Sequence, residues 1–216
     1  MRKIIKENRS TITWLGICIL SVIISVFIHE IVHGVCARAN GIAVSTGFNR
    51  VGNAYMFPSD PDFRTGLYFP TPTSLSEWDF APVATLILAV IFTVTFVCKK
   101  YTNSIFDRFV FAFALSNSIL RPIPVALALI TGGVEDEITQ GEVLAEIFDS
   151  SLLLYVPAMI SIVIGGACIY FIYRRYLFIT KQEINILSPF GIVPAFAISF
   201  VILNLLDNYL RINWVP

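Results

Sequence analysis

The sequence predicts an all-α integral membrane protein of about five transmembrane helices, with a small extramembrane loop or β-hairpin after the first. Three observations predict it. Hydrophobic residues make up 56% of the 216 and charged residues only 14%, mean hydropathy is +0.76, and the apolar residues gather into five long runs. A soluble domain with one large core does not distribute its residues this way, so residues 1–216 read as a single transmembrane domain without repeats. The formal net charge is zero, which leaves no electrostatic footprint for a nucleic acid.

The first helix is predicted over residues 12–37, long enough at about 1.5 Å per residue to cross roughly 30 Å of hydrocarbon. Its basic leader, Met1 to Arg9, resembles the start of a signal peptide, but the apolar run that follows is too long, so the helix is read as retained. Residues 38–79 form the largest extramembrane segment. Within it, Ile42–Phe48 and Ala54–Phe57 flank a turn-rich interval, Asn49–Asn53, which suits a small hairpin or a loop folded over the membrane surface. The segment reads equally as a plain connector or as a strand edge, Gly41 to Phe57, that holds an unwound peptide by strand addition. Pro58, Pro61, Pro70 and Pro72 argue against long regular structure after it, and Phe69, Trp78 and Phe80 read as interfacial anchors.

Residues 80–98 form the second span, closed by Lys99 and Lys100. Residues 106–131 form the third, interrupted by Asn117, Arg121, Pro122 and Pro124. The prolines break that helix, which a membrane tolerates only where protein or water satisfies the freed backbone groups. Arg121 there either faces a polar cavity or snorkels to an interface. An acidic connection follows, with Glu135, Asp136, Glu137, Glu142, Glu146 and Asp149. Residues 152–173 and 190–206 make the fourth and fifth spans, the last followed by a short polar and aromatic tail. Cys18, Cys36, Cys98 and Cys168 lie in or beside apolar runs without metal or disulfide spacing, and read as filler. Basic stretches at residues 2–9, 99–108 and 174–181 alternate with the other connections, so the positive-inside rule puts the N-terminus in the cytoplasm.

The chemistry lies in Ser25–Val35, which contains His29-Glu30-Ile31-Val32-His33. On a helix the two histidines, the only ones in the chain, share one face and can hold one metal ion. Glu30 lies about 100° round the helix from His29, placed to address water at that metal without ligating it. An ionisable triplet in hydrocarbon costs a few kcal/mol per charge, which motivates a functional role over a structural one. The helix topology also brings the His29 and His33 end of helix one and Glu135–Glu137 to the same side of the membrane.

Helix one with His29-Glu30-Ile31-Val32-His33-Gly34 resembles the intramembrane zinc metalloproteases of the site-2 protease family, whose core is three transmembrane helices. Ala81-Pro82-Val83-Ala84-Thr85 is similar to the family's small-residue and proline pattern opening the second helix. Asn117, with Gly132, Gly133 and Asp136 at a distance, resembles the family's third helix. The resemblance implies that His29, His33 and Asp136 hold zinc, that Glu30 is the general base, and that Asn117 helps position the reacting carbonyl. The chain departs from the pattern around the aspartate, where Glu135 and Glu137 are chemically equivalent ligands, and Asn117 reads otherwise as a buried amide bonded within the broken helix. The expected function is hydrolysis of peptide bonds in or near the transmembrane segments of membrane proteins, with the lipid bilayer as surroundings. A membrane zinc hydrolase of a non-protein substrate, or a metal or proton carrier, are the alternatives. Nothing in the sequence speaks to oligomeric state.

Overall fold

The computed structural model describes residues 2–65, 79–133, 135–182 and 188–216, with side chains from Ser10 onward. Among them five helices are long and apolar enough to cross a membrane, within Ser10–Ala39, Ala81–Cys98, Ile105–Thr131, Ser151–Lys181 and Pro189–Asp207. The protein is a multi-pass membrane protein carrying a small three-stranded sheet. Phe69, Trp78, Pro70 and Pro72 lie outside the described residues, and Phe80 is exposed.

Helix α1 (Arg2–Ala39) runs unbroken through the basic leader and the first apolar run. Helix α2 (Ala81–Cys98) has Pro82 in its first turn, where the missing N–H costs nothing. Helix α3 (Ile105–Leu120) opens on a capping box between Ser104 and Asp107, which satisfies two orphan backbone donors at once. It stops at Arg121, and α4 (Pro122–Thr131) begins directly after it. Pro122 and Pro124 cannot continue the hydrogen-bond ladder across that point, so the expected break is present. Gly132 closes α4 in the left-handed conformation, φ 72°.

Three expectations change in the structure. The acidic connection contains a helix, α5 (Asp136–Ile147), with Asp136 and Glu137 in its first turn, where carboxylates meet the positive end of the helix dipole. Helix α6 (Val156–Lys181) passes through Arg174 and Arg175. Arginine is a good helix former, so the charge pair that closes the apolar run does not end the helix. After α7 (Ile192–Asp207) the tail forms a strand.

That strand, β3 (Ile212–Trp214), pairs antiparallel with β1 (Val44–Thr46), which also pairs with β2 (Val51–Asn53), giving the order β2-β1-β3. The hairpin turn is therefore Gly47–Arg50, and its second strand falls inside the interval read from sequence as the turn. Asp207 Oδ1 accepts hydrogen bonds from the Phe48 and Asn49 amides, and Arg211 Nη2 donates to the carbonyls of Ser45 and Arg50, each at 2.6 Å. The hairpin packs against the first helix. Phe48 stacks on Phe27 of α1 at 4.5 Å, and Val44, Ser45 and Thr46 are fully buried.

Cross-helix contacts give the directions. Ser25 Oγ meets Ser116 Oγ at 3.2 Å, while His29 lies beside Arg121, so α1 and α3 run parallel. Phe111 stacks on Trp14, Phe96 and Tyr176, joining α1, α2 and α6 to α3 near the basic end of the bundle. A Cβ on Gly165 would collide with Pro122; small residues permit this close approach. Helix α6 is thereby pressed against the α3–α4 break.

Candidate metal centre

His29 and His33 sit on successive turns of α1, so their imidazoles point the same way. Their Nε2 atoms are 3.1 Å apart. Asp136, in the first turn of α5, brings Oδ2 to 3.1 Å from His29 Nε2 and 3.6 Å from His33 Nε2. Ligands about 2.0–2.1 Å from a tetrahedral zinc lie roughly 3.3–3.4 Å from one another. The three atoms therefore have the spacing of three corners of such a tetrahedron.

The remaining imidazole nitrogens are held from outside. Thr85 Oγ1 donates to the Ala81 carbonyl at 3.2 Å, so it accepts from His29 Nδ1, 3.0 Å away. Asp79 Oδ2 accepts from His33 Nδ1 at 2.5 Å, while its Oδ1 accepts from the Ala81 amide. Nδ1 of each ring thus holds a proton and Nε2 is the atom turned inward, the arrangement in which imidazole ligands offer their lone pair when the outer nitrogen is engaged. Two lone pairs and a carboxylate oxygen then face one another. A proton serves only one of these three contacts, whereas a cation at the centre serves all of them, so the donor set fits a divalent metal.

The three neighbouring carboxylates divide their roles. Burial pushes the Asp136 carboxyl up, but its contacts with His29 and His33 and the Arg121 charge outweigh this and hold it well below the usual carboxylate range. Glu137 is bound bidentately by Arg121 and accepts from Ser161 Oγ at 2.8 Å, so it is engaged away from the histidines. Glu135, pushed up by burial, lies 3.6 Å from Arg121 Nη2. Among the described residues, His29, His33 and Asp136 are the group with metal-ligand spacing.

Glu30 is 8% exposed and has no hydrogen-bond partner among the described residues; the ionisable groups around it are His33, Asp136, Asp207 and Arg211. Asn117 is not brought to the triangle. Its Nδ2 donates to Ser25 Oγ at 2.9 Å and to the Phe113 carbonyl at 2.8 Å, which uses both amide protons. Arg121 is buried and does not snorkel. The four cysteines are free, and the Cys36 thiol accepts from the Phe80 amide at 3.4 Å.

Compared with known protein families, with curated proteins and with solved structures, the chain gives no match. The site therefore stands on its own geometry. Three of its members were not assigned a role from sequence: Asp79, Thr85 and Ser161. Thr85 lay inside the Ala81–Thr85 motif, which was the one available signal; Asp79 and Ser161 had none.

Proposed function

We propose that the chain is an intramembrane zinc metallopeptidase, as the site-2 protease resemblance implies, acting on peptide bonds in or near transmembrane segments. The convergence of His29 Nε2, His33 Nε2 and Asp136 Oδ2 within 3.1–3.6 Å carries this reading. Two imidazoles and a carboxylate are a donor set of catalytic zinc, which supplies Lewis-acid polarisation of a carbonyl and an acidified water when bound.

The chain's own residues do the rest. Asp79 and Thr85 hold the two rings in one tautomer and orientation. Glu30 takes the proton from the attacking water and passes it to the leaving amine. A helical substrate must unwind to expose its carbonyl. With β1 already paired on both sides, and the Asn53 amide of β2 bound to the Phe63 carbonyl, the outer edge of β3 is the backbone surface for an extended peptide. The N-terminus is proposed to lie in the cytoplasm.

The test is metal content and cleavage of single-span membrane substrates by purified wild type, Glu30→Gln and Asp136→Ala. The expected result is about one zinc per chain in wild type and Glu30→Gln, less in Asp136→Ala, and cleavage by wild type alone. A folded wild type without zinc overturns the reading. Partial ion flux in Glu30→Gln would instead indicate a carrier, and cleavage restricted to lipid-linked amides a non-protein substrate.

A further inference from the structure

Arg121 brings a cationic side chain to the centre, and that side chain is 7% exposed. The α3–α4 break directs it inward. Its Nε donates to Glu137 Oε1 at 2.9 Å and its Nη2 binds Glu137 Oε2. Ser161 of α6 secures that carboxylate from the far side. Nη2 also lies 3.2 Å from Asp136 Oδ2. The other terminal nitrogen, Nη1, is 3.4 Å from His29 Nε2. That lone pair is the one offered to the metal, so once it is used Nη1 has two protons and no ring acceptor. The next acceptor is whatever group shares the centre.

Resting on the metallopeptidase reading, we propose that Arg121 is a catalytic residue, donating from Nη1 to the carbonyl oxygen that gains negative charge during hydrolysis. The water oxygen bonds to the carbonyl carbon, the π pair moves onto the carbonyl oxygen, and Glu30 takes the water proton. When the C–N bond breaks, the pair returns to the C=O bond and the amine nitrogen receives the proton from Glu30. Arg121 stays protonated throughout and supplies a preorganised charge where charge develops. Asn117, the residue the family resemblance points to, has spent both amide protons on Ser25 and Phe113.

The experiment compares wild type with Arg121→Gln/Glu137→Gln, which removes both buried charges together so that neither is left alone. Arg121→Lys, which keeps the charge but loses the fork, and Asn117→Ala complete the set. Three quantities are read: zinc affinity, affinity of the zinc-loaded protein for a phosphinic peptide, and kcat with KM. The double variant should hold zinc within about threefold of wild type, bind the phosphinic peptide about 100-fold more weakly and lose roughly 10²–10³ in kcat with little change in KM. Its losses should exceed those of Asn117→Ala at least tenfold or so, with Arg121→Lys in between. Phosphinic-peptide binding as tight as wild type in the Arg121 variants overturns the assignment. Zinc affinity falling in step with kcat also overturns it, since Arg121 would then only support Asp136. A wild type that binds zinc and phosphinic peptide yet cleaves no peptide sinks the peptidase reading alone, because the affinity comparison still decides the role of Arg121.

Discussion

Asp79 and Thr85 lie outside the triangle of inward-facing donor atoms, yet they decide which nitrogen each imidazole turns inward. Partners of this kind typically contribute a factor of about 10–100 in metal affinity. Asp79→Asn is therefore expected to weaken zinc binding by about that factor while far-ultraviolet circular dichroism stays unchanged; chelator competition measures it, and an unchanged affinity would remove Asp79 from the centre. Residues of the site were legible in the sequence where they share one helix. His29, Glu30 and His33 declare themselves because a four-residue spacing on a helix is already a geometry. Asp136 emerged only through a family resemblance, with two equivalent neighbours. The roles of Asp79, Thr85 and Arg121 arise from contacts spanning 46, 56 and 92 residues, and no local pattern encodes those.

Helices and their interruptions follow from local chemistry, so most of them could be read in advance. The break at Arg121 is one case, since two prolines two residues apart leave the ladder no alternative. Turn placement is another matter. Gly47–Arg50 is selected by Asp207, 159 residues from Phe48, and nothing near the hairpin announces it. Asp207 is fully buried, so Asp207→Ala leaves the Phe48 and Asn49 amides without their acceptor. The expected cost is about 0.5–1.5 kcal/mol for each of the two half-buried hydrogen bonds lost. It should appear as faster hydrogen exchange across Gly47–Arg50 and a lower thermal midpoint. Unchanged exchange there would mean that the turn holds itself.

Across the whole molecule, the two ends of the bundle differ in charge. Lys99, Lys100, Arg108, Arg174 and Arg175 share one end, and the metal-site residues lie towards the other. The proposed orientation puts the basic end in the cytoplasm. Cys98 is exposed at that end, so in Cys36→Ser cells a membrane-impermeant maleimide should label it only after permeabilisation. Labelling of intact cells would reverse the orientation and leave the chemistry untouched. The sheet carries a further consequence, concerning the order in which the chain is made. Trp214 Nε1 donates to Thr46 Oγ1 across 168 residues, and its indole packs where a Cβ on Gly34, next to His33, would stand. At roughly 5–20 residues per second, translation needs about ten to thirty seconds to travel from the hairpin to that tryptophan. The wall beside His33 is thus incomplete until Trp214 has been made, and a nascent molecule carries its two histidines well before the indole that closes one side of them.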